Sequence, residues 1–453
     1  MKVLLIDPPA TFLRGDGVTR HLFPLGLGAI SAVLTEEGHT VRVLLPDTRS
    51  YRGDDPWGVL EGVIAEEAPD LVGVTGMTGT FGAAVKVVDS VRRVLGPDVT
   101  VLMGGTHATF CVDEAVRVPG VDVVVKGEGE DQAVSLVNGF EKQGKSFDPL
   151  TVPGVAVLRD GMVCHSPTKP PRRDLDNLPW SRREGLVWDE LRHPLLYQSL
   201  ITTRGCPYKC TYCGIPNATD RLTRYRSPKD ALDEIAFLRE AYGVEDLTFY
   251  DPVFTLNRRR TLAFMKQMVE RDLAMPFTCQ TRADRVQADV AEAMAQAGCT
   301  RVFFGIESGD ENSLAKMKKH MSLDAIRSGV KIIQDAGIGA SGFFIVGFPW
   351  ETEALVEQTV DFALSLGLDM VNLFSLTPLP GSELWQGALE GPKKVDFRGT
   401  QRNLTSLSDE DYFRCFSQAK SRFEEYNHKS VQSRMSHWPG ALPDQAMPPK
   451  LPR

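Results

Sequence analysis

Through its first 145 residues the chain alternates short apolar runs with longer stretches whose apolar positions recur at helical spacing. Lys2–Asp7 is the first run, rich in Val, Leu and Ile and stopped by Pro8-Pro9. From Pro24 to Glu37 apolar residues return at Leu25, Ile30, Val33 and Leu34, and the pattern ends at Gly38. That predicts a helix closed by a glycine C-cap. Runs at Val41–Leu45, Leu71–Thr75, Val99–Met103 and Val121–Val125 predict four further strands with helices between them. Five strands alternating with helices predict a doubly wound parallel sheet, in which ligands bind beyond the carboxyl ends of the strands. Those ends are glycine-rich: Thr75-Gly76-Met77-Thr78-Gly79, Gly104-Gly105-Thr106-His107 and Gly127-Glu128-Gly129-Glu130. Glycine there admits close approach of a bulky ligand, although each cluster read singly is also an ordinary turn. No Gly-x-Gly-x-x-Gly follows the first strand and no Walker loop is present, so nucleotide binding is not supported.

Residues 146–195 change character. Val155–Leu158 and Met162–Cys164 flank Arg159-Asp160-Gly161, a hairpin signal, and the prolines that follow read as a connector. From 196 to 388 strand-like runs return at 199–204, 246–251, 277–282, 300–307, 340–346 and 370–377, again with helical stretches between. Residues 389–453 form an extension with a helical patch at Asp409–Tyr426 and a proline-rich end that reads as loose or wrapped on the surface.

Charge and cysteine usage narrow the picture. Lys+Arg 51 against Asp+Glu 59 leave a formal charge of −8, a poor match to a nucleic-acid backbone. No apolar stretch approaches membrane-spanning length, and the first residues read as a strand rather than a signal peptide. Of the eight cysteines, Cys111, Cys164, Cys279, Cys299 and Cys415 are scattered, and Cys206, Cys210 and Cys213 share one short segment. This is not a disulfide framework; it reads as a cytoplasmic chain with a metal site. The segment Arg204-Gly205-Cys206-Pro207-Tyr208-Lys209-Cys210-Thr211-Tyr212-Cys213 has the spacing Cys-x3-Cys-x2-Cys. Three thiolates satisfy three irons of a 4Fe–4S cubane and leave the fourth open to chelate a substrate. Zinc, the rival, prefers four ligands, and no fourth stands nearby in this stretch.

This motif, with an aromatic residue before its third cysteine, resembles the radical SAM superfamily over residues 196–380. The six runs then imply a partial (β/α)6 barrel of TIM type with its chemistry at the strands' carboxyl ends. By position Tyr212, Asp251, Gln280, Arg282, Glu307, Ser308 and Phe348 resemble contacts to S-adenosylmethionine (SAM). Asp251 stands where the superfamily often has Gly-Gly-Glu. Glu307 and Arg282 read alternatively as a salt bridge at the barrel mouth, and Cys279 and Cys299 as packing residues.

Residues 1–145 resemble the Rossmann-like cobalamin-binding domain found in front of many radical SAM enzymes. The resemblance implies contacts from Pro8, Thr75, Met77, Thr78, Gly104, Gly105, His107, Gly127 and Glu128. An Asp-x-His-x-x-Gly motif is absent, which implies cobalamin without a histidine on cobalt; His107 reads better as a packing or hydrogen-bonding residue.

Together the resemblances imply a cobalamin-dependent radical SAM methyltransferase. A 5′-deoxyadenosyl radical would take a hydrogen from an unactivated carbon of a small natural-product intermediate, which then receives the methyl group of methylcobalamin. The catalytic residues are unknown. An external donor such as flavodoxin or ferredoxin would supply electrons. A ring contractase or cyclase of the same family is the alternative; a methylthiotransferase would bring a second cysteine set, and a non-enzymatic cobalamin sensor or electron carrier would not need an open iron.

Overall fold

The apolar runs of the first domain become parallel strands because both faces of each are covered. In a computed structural model describing residues 1–9, 23–47, 55–187, 197–390 and 403–435, these strands are β1 (Lys2–Ile6), β2 (Thr40–Leu44), β3 (Leu71–Thr75), β4 (Thr100–Gly104) and β5 (Val123–Val125). They pair in parallel in the order β2-β1-β3-β4-β5. Side chains alternate across a strand, so Val3 and Leu5 enter one core with Leu27, Leu34 and Leu136, whereas Leu4 and Ile6 enter a second with Leu60, Ile64 and Val87. The helix Leu25–Glu36 ends as expected: Gly38 takes φ +89°, and the His39 N–H donates to the Leu34 carbonyl.

The hairpin expected in the connector is instead part of this sheet. β6 (Val155–Arg159) and β7 (Met162–His165) add antiparallel at the β5 edge, making seven strands. Burial of Val155, Ala156 and Val157 draws β6 in, and pairing shields the otherwise open β5 edge.

The second sheet has six parallel strands. The first expected run, 199–204, divides into β8 (Ser199–Leu200) and β9 (Thr203–Arg204). The break has a cause: the buried Asp251 carboxylate takes the N–H groups of Thr202 and Thr203 at 2.6 and 3.0 Å and the Thr202 hydroxyl at 2.5 Å, diverting them from the ladder. β9 pairs antiparallel with β10 (Arg224–Tyr225) in a small ribbon. The sheet continues with β11 (Leu247–Phe249), β12 (Phe277–Thr281), β13 (Cys299–Glu307), β14 (Gly339–Val346) and β15 (Met370–Ser375), each pairing with the next, and β8 lies beside β11.

The expected C-terminal helix spans Asp409–Met435 and packs Cys415, Phe416, Ala419 and Phe423 into the core. Its Asn427 side chain hydrogen-bonds both N–H and C=O of Val371 at 2.9 and 2.8 Å, occupying backbone groups of the edge strand β15. The proline-rich end lies outside the described residues. Among the described residues no helix is long and apolar enough to cross a membrane.

Candidate active site

The cysteine loop leaves the second domain between the two strands of the ribbon. Gly205 starts it at φ +89°, where a Cβ would stand 2.1 Å from the Leu222 carbonyl oxygen, so only glycine fits. Cys206, Cys210 and Cys213 follow as half-buried free thiols. The other five cysteines lie elsewhere: Cys279, Cys299 and Cys415 are buried in the core, and Cys111 and Cys164 belong to the first domain. Burial pushes the Cys213 thiol up to about 11 and raises Cys206 as well, while Lys319 pulls both back toward thiolate. Three soft donors on one loop, backed by cations, fit a cluster that supplies the positive charge needed to deprotonate them.

Behind the loop stands a buried group that the sequence did not reveal. The Lys319 ammonium donates to Glu307 Oε1 at 2.7 Å and to the Tyr212 hydroxyl at 3.1 Å, and that hydroxyl donates to Glu307 at 3.0 Å. Glu307 ends β13 at φ +72°, where the register with β14 shifts, so the chain turns its carboxylate toward the loop. Phe348 meets the Tyr212 ring edge-on at 6.0 Å. Arg282 lies over the Tyr208 ring at 3.8 Å, donates to the Lys319 carbonyl at 2.8 Å and pairs with Asp284 at 2.9 Å. Lys319 was missed because the run Lys316-Met317-Lys318-Lys319-His320 looks like a solvated helix end.

The remaining SAM candidates are dispersed. Asp251 is fully buried and holds Thr202 and Thr203, supporting the strand that feeds the loop. Ser308 is buried against Thr359 at 3.3 Å, where its hydroxyl also accepts from the Asp310 N–H. Gln280 lines a cavity of about 1140 Å³ along the second sheet, which shares Tyr250 with the cavity between the domains.

A largely apolar cavity of about 670 Å³ lies between the domains. Met77, Thr78 and Gly79 at the end of β3 line one side, and Arg204, Cys213 and Gly214 the other. The connector contributes Leu178, Pro179 and Trp180. Of the cobalamin candidates, Met77, Thr78 and Glu128 line it, and Gly127 lines a neighbouring hollow of about 240 Å³. A Cβ at Gly26 or Gly127 would meet no protein atom within 4 Å, so bare backbone faces open space at both. Such a lining suits a large flat macrocycle with an amide rim. Pro8, Thr75, Gly104 and Gly105 form the strand ends but not the lining.

Two of the cobalamin candidates also hold internal partners. His107 is buried, stacks on Phe81 at 4.0 Å between centroids and contacts Thr78 and Glu114, each at 3.3 Å. Among the described residues no histidine lines the cavity. Glu128 accepts two bonds from Arg224, at 2.5 and 2.8 Å, and lies 3.5 Å from Arg204, which also pairs with Glu130 at 2.7 Å. The Gly-Glu-Gly-Glu segment therefore grips the ribbon at the base of the cysteine loop.

Two family models match: radical SAM superfamily over residues 200–363 and B12 binding domain over residues 17–137. An uncharacterized methyltransferase of Pyrococcus horikoshii is 30% identical over 393 residues, 86% of this chain and 83% of that protein. The anaerobic magnesium-protoporphyrin IX monomethyl ester cyclase of Rubrivivax gelatinosus is 29% identical over 406 residues, 88% and 72% of the two chains. The structure of the radical SAM methyltransferase TsrM from Kitasatospora setae, with cobalamin and a 4Fe–4S cluster bound, has the same fold. Its TM-score is 0.73 at 21% identity, covering 86% of this chain and 74% of that one. Fold, cysteine loop and relatives together define an enzyme of radical SAM type with a cobalamin domain in front. The chain belongs to the cobalamin-dependent radical SAM methyltransferase family.

Proposed function

We propose that this enzyme methylates an unactivated carbon of a small natural-product intermediate, with electrons from flavodoxin or ferredoxin. The observation carrying this reading is that Cys213 and the β3 end, Met77 to Gly79, border one cavity. When bound, the cluster with SAM supplies a hydrogen-abstracting radical and cobalamin supplies the methyl group. Cys206, Cys210 and Cys213 would hold the cluster, and Met77, Thr78 and the bare backbone near Gly26 and Gly127 the corrin. The chain's own part is positional. Tyr212, Glu307 and Lys319 brace the cysteine loop from behind, and Arg282 pins Tyr208. Glu128, Glu130, Arg204 and Arg224 fix the distance between the two cofactor-bearing walls. The apolar lining excludes water that would quench a radical.

The test is anaerobic reconstitution with iron, sulfide and cobalamin, then incubation with reductant and methyl-labelled SAM. Formation of both S-adenosylhomocysteine and 5′-deoxyadenosine supports the reading. Deoxyadenosine alone would shift it to ring contraction or cyclisation, a reading favoured by the cyclase relatives at 26–29% identity.

A further inference from the structure

Directly behind the cavity wall of the first domain, where Thr78, Thr106 and Phe110 form the lining, three ligand types converge. We propose that His107, Cys111 and Glu114 bind a divalent transition-metal ion of the zinc class, which ties two short helices behind the corrin-facing wall.

The sequence spacing creates the group. Thr106–Phe110 and Val112–Val116 are consecutive short helices joined at Cys111, whose non-helical φ −115° and ψ 52° turn the chain so that residues 107, 111 and 114 meet. Thr106 and Phe110 line the cavity, and His107, Cys111 and Glu114 do not. One imidazole nitrogen, the Cys111 sulfur and one Glu114 oxygen all lie within 4.8 Å of one another, with His107 Nε2 3.3 Å from the carboxylate. Ligand atoms around a tetrahedral zinc stand about 3.3–3.8 Å apart, given Zn–N near 2.0 Å and Zn–S near 2.3 Å. The imidazole–carboxylate distance already matches, and the remaining distances need a contraction of at most about 1.5 Å.

The imidazole is already oriented. Phe81 stacks on its face, and Nδ1 lies 3.3 Å from Thr78 Oγ1. Metal binding selects the tautomer in which Nδ1–H donates to Thr78 and Nε2 is the ligand, the outer-shell pattern of metal-bound histidines. Glu114 is exposed, which leaves an entry path and room for water as fourth ligand. A nitrogen, sulfur and oxygen set selects zinc-class ions over magnesium or calcium, which favour all-oxygen sites.

The test uses the holoenzyme, cluster and cobalamin loaded, with one equivalent of zinc, read by zinc-edge X-ray absorption and chelator competition. The expected shell has one sulfur at about 2.3 Å and lighter atoms at about 2.0–2.1 Å. Cys111→Ser should remove the sulfur, and Thr78→Val should weaken zinc about 10- to 100-fold. Glu114→Gln, an exposed change that leaves the core intact, should weaken it at least about tenfold. No zinc retained, two or more sulfurs in the shell, or affinity unchanged in Glu114→Gln would each overturn the proposal.

Discussion

Arg224 and Glu128 meet across the domain boundary as a two-pronged ion pair, at 2.5 and 2.8 Å, with the arginine side chain only 3% exposed. Planar guanidinium and carboxylate match in both bonds, so the pair fixes orientation as well as distance. It joins the strand-end loop of the first sheet to the ribbon from which the cysteine loop springs.

Removing the carboxylate leaves a buried cation uncompensated. Glu128→Ala should cost about 3–5 kcal/mol and loosen the junction, seen as faster amide exchange in both Gly127–Glu130 and Arg204–Gly205. Burial by itself would raise the Glu128 carboxyl, but Arg224 and Arg204 hold it below its usual 4.5. Its contribution is therefore complete above about pH 4.5 and lost as pH falls through the depressed folded value. Exchange protection should collapse on that acid side and not on the alkaline side.

Lys319→Met strands the Glu307 carboxylate among buried groups. We expect a loss of about 3–5 kcal/mol in urea unfolding, and faster iron release because Tyr212 loses its brace. Pairing it with Glu307→Gln should recover a large share of that stability, which a double-mutant cycle measures.

Gly105 takes φ +95° and packs on Gly76, where a Cβ would approach the carbonyl oxygen to 2.6 Å. Gly105→Ala should destabilise the first domain by at least about 2 kcal/mol. Equilibrium dialysis should show weaker cobalamin retention, because the strand ends beneath the cavity shift.

Glu351 is a buried carboxyl whose Oε2 accepts from Gly347 and Phe348 N–H at 2.5 and 3.0 Å. Burial raises it from 4.5 to about 7, against the pull of those two donors. With the folded value above the unfolded one, its contribution is full below pH 4.5 and declines as pH rises to 7, by on the order of 3 kcal/mol. Melting temperature followed from pH 5 to 8 should fall more steeply for the native enzyme than for Glu351→Gln.

The sequence alone determined the five parallel strands of the first sheet, which are buried on both faces and read as apolar runs, and most of the second sheet; it did not show that β6 and β7 join the first sheet or that the run 199–204 divides. It also determined the cysteine loop, since Cys206, Cys210 and Cys213 lie within one short segment and need no long-range contact to be recognised. Only the tertiary structure showed which internal partners Glu128, Asp251 and His107 hold. Each is a polar residue at a strand end, and the partner comes from chain far away: Arg224, Thr202, and the Thr78 and Phe81 pair, respectively. Lys319 shows the same thing from the other direction. Its charge run has the composition of a solvated surface, and only the bulge that turns Glu307 inward makes burial of that ammonium favourable. Apolar burial is legible locally because it repeats with the secondary-structure period, whereas a buried charge needs one specific partner that no periodicity announces.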